Sequence, residues 1–274
     1  MNPAAQRSEM LSRWLVPLVL VSAGLVLCFL TPPWLGMWLL AGSLFAAAKW
    51  AVWWPRRCGV PLRTTVMWFS LWPGMDPAWL NERSTTEKAR PLRGLIHLAL
   101  GLVLLFTAAR LANPVAASWT AMVGLINAMH FGAFHLLACF WQSKGRRAPL
   151  LVDHPLRSRS LTEFWGRRWN TAFHYLSEHF IFRRLVRRLG VTAAMLTVFL
   201  VSGLVHDLVI SVPARGGWGR PTLYFLLQGG GVLIERRWKL RSRVWVWAVT
   251  GLPLPLCFPP AFCDHVILPL LHLP

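Results

Sequence analysis

Acidic residues are scarce in this chain. Ten Asp and Glu stand against 29 Lys and Arg in 274 residues, a formal net charge of +19. Charged residues of both signs make up only 14%, where a soluble domain carries about 25%. With 55% hydrophobic residues and a mean hydropathy of +0.46, this excludes a disordered chain, a collagen and a coiled coil. It argues against a soluble globular enzyme and for a polytopic membrane protein. Tyrosine is nearly absent, two residues against 17 Trp, which suits aromatic side chains working at lipid boundaries. Cysteine is sparse and odd in number: Cys28, Cys58, Cys139, Cys257 and Cys263, with no CxxC pair. Neither a disulfide framework nor a zinc site is expected, and the five read as small buried apolar residues. Repeats of solenoid period and low-complexity tracts are also missing.

What the chain does have is long apolar runs, at 14–30, 34–54, 94–112, 115–141, 191–212, 221–234 and 244–263. A helix crossing the hydrocarbon needs about 20 residues. The run 221–234 is short, and the tail from His265 reads as half a span. Seven or eight spans are therefore expected in one integral membrane domain, 1–274, of all-α class. Thr31-Pro32-Pro33 breaks the first pair into a helical hairpin, and Asn113-Pro114 separates the second. The first run has a basic flank, Arg7 and Arg13, but its apolar core is long and no small-x-small site follows, so it reads as an uncleaved helix.

Basic residues alternate with the runs. The N-terminal tail has two, the first hairpin tip none and the 55–93 loop seven. The next tip has one, the 142–190 loop eleven, the segment after 212 two and the 236–243 loop five. Cytoplasmic loops hold the excess Lys and Arg, so the N-terminus and the long loops are expected on the cytoplasmic side. Segregation between apolar segments points to membrane orientation and to anionic lipid or substrate, with no nucleic acid as partner.

Two constellations carry chemistry. Ser160 and Glu163 have capping-box spacing, so a helix is expected to start there. At 100° per residue Glu163, Arg167, Asn170, His174 and Glu178 share one face, and Leu161, Trp165, Trp169, Ala172, Leu176 and Phe180 the other. This predicts an amphipathic interfacial or re-entrant helix, with Trp165, Arg183, Arg184, Arg187 and Arg188 as anchors. The second constellation is His206-Asp207, late in the run 191–212. His206 lies about 22 Å along a helix from Val191, inside a hydrocarbon core about 30 Å thick. An imidazole there is a general-base candidate, or structural glue between helices. His97, His130 and His135 also lie in apolar runs, without i, i+4 ligand spacing, and read as structural or cavity-lining; no metal site is expected.

The stretch Ser160-Leu-Thr-Glu-Phe-Trp-Gly-Arg-Arg-Trp-Asn170, followed by Phe199-Leu-Val-Ser-Gly-Leu-Val-His206, resembles the wax synthase branch of the membrane-bound O-acyltransferase superfamily, bacterial type. Phe225 to Arg236 and Leu71-Trp-Pro-Gly-Met-Asp-Pro77 are similar to further segments of that family, so the resemblance covers about 70–237. It departs from the family pattern at Asp207, where Glu is usual, and in its short length. The resemblance implies transfer of a fatty acyl group from acyl-CoA, a co-substrate, to a hydroxyl of a lipophilic alcohol, with no bound cofactor. His206 would be the base, and Asn170 would hydrogen-bond at the reacting centre. Arg167, Arg168, Trp169 and Asp207 are the candidate substrate-binding residues. Basic side chains at Arg157, Arg159, Arg167 and Arg168 could meet the phosphates of coenzyme A, although positive-inside topology alone explains the same arginines and is the better account of most of them. Diacylglycerol, a sterol-like alcohol or a glycan hydroxyl are alternative acceptors, and a lipid-binding or transport protein is the alternative class. Short length and Arg- and Ala-rich composition fit a bacterial inner membrane. The enzyme reading requires a polar-accessible tunnel joining Asn170 to His206, because irregular structure at membrane depth is tolerated only around a cavity.

Overall fold

The computed structural model describes residues 3–81, 83 and 89–271; side chains are described from Arg13 onward, except that of Asn81. The side chain of Arg7 and the whole of Lys88, both counted in the loop charges, lie outside the described residues, as do the last three residues of the tail. Among the described residues every regular element is helical, and a single isolated bridge joins Arg83 to Arg146. The protein is an all-α, polytopic membrane protein.

Five helices are long and apolar enough to cross a membrane: Arg13–Leu30, Pro33–Arg56, Pro91–Ala108, Pro114–Ser143 and Thr171–Ala214. A bent pair, Arg243–Cys257 and Pro260–Leu271, makes a sixth if its two arms are one broken span. This is fewer than the seven or eight expected, for two reasons. The run 221–234 does form a helix, Arg220–Trp238, but it carries Gln228, Glu235, Arg236 and Arg237 and falls short of span character. The run 244–263 and the tail are not separate either. The run breaks before Pro260, where consecutive prolines remove backbone donors, and its last residues join the tail as the second arm of the bent pair, set 64° from the first.

The hairpins form as the prolines suggest. Pro33 opens the second helix, and Asn113 caps the fourth by accepting from Ala116 N at 2.9 Å with Pro114 in the first turn. Helices of the second hairpin approach closely at Gly101, where a Cβ would collide with the backbone of Ala128.

Thr171–Ala214 is too long for one crossing. Its 44 residues would span about 66 Å at 1.5 Å per residue. The helix breaks at Gly190, whose φ of 76° and ψ of 170° are non-helical; glycine alone visits that region without strain. The part before it carries Arg183, Arg184, Arg187 and Arg188, which hydrocarbon would not accept. Residues 191–214 give about 36 Å of helix, enough for one crossing.

Not all tryptophans work at lipid boundaries. Trp68, Trp72, Trp79 and Trp141 are buried in a core of their own beside the loop 72–81, with Trp79 edge-on to Trp141 at 4.9 Å. Trp141 Nε1 donates to Leu71 O at 2.9 Å, which anchors this loop to the fourth span. Lys49, fully buried on the second helix, donates to Trp68 O and Trp72 O and lies 3.9 Å from the Trp68 ring centroid. Carbonyls at a helix C-terminus are left over from the helix's own bonds, so a cation is a natural partner there. Of the cysteines, Cys28, Cys257 and Cys263 are buried as expected, Cys139 is half-buried and Cys58 exposed; all five are free thiols.

Candidate active site

The amphipathic helix expected from Ser160 onward exists only in pieces. It starts as predicted: Ser160 Oγ accepts from Glu163 N at 3.0 Å, and Glu163 Oε2 accepts from Arg159 N at 2.9 Å. After Leu161–Glu163 the backbone widens into a π-turn, Phe164–Arg168, then leaves the helix at Trp169 and Asn170. A new helix, Thr171–Ser177, starts at Asn170 and runs through a second π-turn, Glu178–Phe182. A third, Asp207–Ser211, follows directly on His206. A π-turn inserts a residue and rotates everything beyond it, so the 100° register behind the single predicted face does not hold across this segment.

Asn170 itself makes the break. It sits at φ 45°, ψ 62°, a left-handed conformation that Asn tolerates better than most residues. Its Oδ1 accepts from Phe173 N at 3.1 Å and caps the new helix. A strap from the preceding loop holds the turn on both sides: Asp153 N donates to Arg168 O at 2.9 Å, and Thr171 N donates to Leu151 O at 3.0 Å. Because Oδ1 is committed to the cap, the amide orientation is set, and Nδ2 is left as a donor without a partner among the described residues.

Asn170 and His206 line one cavity of about 390 Å³. Its walls are mostly apolar, with Trp165, Phe199 and Phe225 prominent, and His174, Glu178 and Arg236 join them. His206 Nδ1 lies 2.7 Å from Ser202 O. A carbonyl can only accept, so Nδ1 carries the proton and Nε2 keeps its lone pair. The ring packs on Phe225 at 4.3 Å between centroids. The helix Arg220–Trp238 reaches this position because Gly203 leaves room: a Cβ there would stand 2.6 Å from Thr222 Cα. Trp165, read from sequence as an interfacial anchor, instead packs on Phe199 and Phe225 inside the cavity wall.

The other candidates fare differently. Trp169 lines the cavity and stacks between His130 and Phe164, each about parallel at 5.8 Å. Arg168 is occupied. Its Nε donates to Glu163 Oε1 at 2.6 Å and its Nη1 to Asp153 O at 3.3 Å. The Arg159 backbone N–H, and then Arg168, hold the Glu163 carboxyl below the usual carboxylate range against the effect of partial burial. Arg167 is exposed and does not line the cavity. Asp207 points elsewhere: Oδ1 accepts from Ser211 Oγ at 2.8 Å and Gly219 N at 2.9 Å, and Oδ2 from Thr222 N at 3.0 Å and from Thr222 Oγ1. Its carboxylate ties the end of the fifth span to the start of the next helix, and it lines a separate groove. His97 and His135 serve packing, bonded to Asn127 Oδ1 and Arg90 O respectively at 3.0 Å. Among the described residues no group of three or more His, Cys, Asp or Glu is placed to hold a metal.

Sequence reasoning missed Glu235. It is buried, and its carboxylate accepts from Leu161 N, from Thr162 Oγ1 at 3.0 Å and from Thr162 N at 3.3 Å, across 74 residues of chain. It thereby pins the start of the motif to the cavity wall, against the positive end of a helix turn. Its position immediately after an apolar run gave no signal of that partner. Replacing Glu235 with Ala orphans these donors and is expected to cost about 1.5–3 kcal/mol, with Glu235→Gln milder; thermal unfolding in detergent measures it, and an unchanged midpoint in both variants would refute the clamp.

Residues 148–227 match the family described as Membrane bound O-acyl transferase family. The match begins at the strap that holds the Asn170 turn and runs past His206 to the helix that packs on it. Two curated plant proteins are similar over part of this chain. One is the "Probable long-chain-alcohol O-fatty-acyltransferase 2" of Arabidopsis thaliana, 36% identical over 95 residues, covering 31% of this chain and 27% of that protein. The other is the "Long-chain-alcohol O-fatty-acyltransferase" of Simmondsia chinensis, 36% identical over 93 residues, covering 30% and 26%. The similar region thus spans about a quarter of the length of these curated relatives.

Proposed function

We propose that the protein is a membrane O-acyltransferase of the wax synthase type, moving a fatty acyl group from acyl-CoA to the hydroxyl of a lipophilic alcohol. The observation that carries this reading is that Asn170 and His206, 36 residues apart in the chain, line the same largely apolar cavity. An alcohol is a weak nucleophile at neutral pH and needs a base within reach. In the proposed step His206 Nε2 takes the hydroxyl proton as the oxygen attacks the thioester carbonyl. Asn170 Nδ2 donates to the carbonyl oxygen as it gains negative charge. The C–O bond forms, the C–S bond breaks, and the proton on His206 passes to the departing thiolate, giving an ester and free coenzyme A. The apolar walls suit an acyl chain and an alcohol of low polarity.

In this proposal the N-terminus and the cavity's charged rim face the cytoplasm, beside the soluble donor; the basic loops support that orientation, and composition suits a bacterial inner membrane. Incubating membranes that hold the protein with radiolabelled acyl-CoA and a panel of long-chain alcohols, diacylglycerols and sterols tests the reading. A labelled ester from one acceptor class is the expected product; no transfer to any hydroxyl would overturn it.

A further inference from the structure

We infer that Arg236 recognises the phosphate that follows the pantetheine arm of the acyl donor, so that the cavity mouth is an anion site built on the helix Arg220–Trp238. This rests on the acyltransferase reading and adds a residue to it. Arg236 is the one guanidinium among the residues lining the cavity, it is exposed, and it has no ion pair among the described residues. The arginines expected to do this work are placed otherwise. Arg168 is bound by Glu163 and by Asp153, and Arg157, Arg159 and Arg167 are off the cavity. Arg236 is also held in position, because its neighbour Glu235 is clamped to Leu161 and Thr162 on the same wall.

The spacing fits the ligand. Phe225 packs on His206 and so marks the depth of the reacting centre on the helix that carries Arg236. Eleven residues separate Phe225 from Arg236, about 16 Å along the axis. A pantetheine arm has roughly thirteen bonds from sulfur to phosphorus, and at the advance per bond of extended polypeptide it reaches roughly 15 Å. A thioester at His206 therefore brings its first phosphate to Arg236, where a guanidinium binds phosphate oxygens in a bidentate fork.

The test uses the full-length protein in detergent or nanodiscs, with acyl-CoA, acyl-phosphopantetheine and phosphate-free acyl-pantetheine as donors. Arg236→Gln is expected to raise KM for the two phosphorylated donors about 10- to 100-fold, with kcat within about threefold and KM for acyl-pantetheine unchanged. Arg236→Lys should recover part of the loss, and Arg237→Gln, off the cavity, should leave all three unchanged. Binding of coenzyme A alone, by calorimetry, should weaken by a similar factor in Arg236→Gln. Equal KM increases for all three donors, no increase for any, or the same effect from Arg237→Gln would overturn the inference. If the wild type transfers no acyl group yet binds coenzyme A through Arg236, the acyltransferase reading falls and the site stands; if the wild type binds no coenzyme A, the site falls.

Discussion

Replacing His206 with glutamine is expected to lower acyl transfer by about 10²- to 10⁴-fold, the range that a positioned general base contributes. Glutamine is the informative choice because its amide can still donate to Ser202 O, as Nδ1 does at 2.7 Å, while offering no basic lone pair. The helix end and the packing against Phe225 should survive, and expression and thermal unfolding should match the wild type. Single-turnover measurements with preloaded acyl-CoA isolate the chemical step. A variant that turns over at the wild-type rate would remove His206 from the mechanism and leave it as a bond within its own helix. Loss of rate together with loss of folded protein would be uninformative for glutamine, and His206→Asn, smaller and equally non-basic, then repeats the comparison.

The second large effect concerns Asn170, where two roles coincide in one side chain. Oδ1 caps the helix Thr171–Ser177, and Nδ2 is a donor without a partner among the described residues. Asn170→Asp separates them. Aspartate caps helices as well as asparagine does and tolerates the left-handed backbone, but it has no N–H and places a negative charge where the carbonyl oxygen would become negative. Activity is expected to fall by about 10²- to 10³-fold, the usual cost of removing one oxyanion donor, with stability close to wild type. Asn170→Ala, by contrast, loses the cap at about 1 kcal/mol and strains φ 45° as well. Comparing the two by kinetics and by melting in detergent distinguishes a catalytic donor from a cap. Full activity in Asn170→Asp would show that the residue only shapes the turn.

The Asn170 turn also shows how a site can look simple in sequence and be built from distant parts. The capping box at Ser160 and the cap at Asn113 involve residues three apart, and local spacing reveals them. The strap 151–153, the Glu235 clamp and the Trp169 stack on His130 join segments whose partners no local pattern names. The π-turn Phe164–Arg168 and the break at Asn170 shift the helical register, which is why the predicted polar face from Glu163 to Glu178 does not survive intact although Asn170, His174 and Glu178 still reach the cavity. Asp207 and Arg168 carry the right charges for substrate contacts, but each meets groups of the protein itself.

The sequence alone determined the membrane class and the positions of the long hydrophobic helices. Those properties follow from run length and composition, which a chain displays along its own axis. Only the tertiary structure decided where the long helices break, which charges are neutralised by neighbours and that Arg236, at the cavity, has no ion pair among the described residues. The reason is electrostatic and geometric. A charge's availability depends on what lies within a few ångströms of it, and in this protein those neighbours arrive from up to 74 residues away.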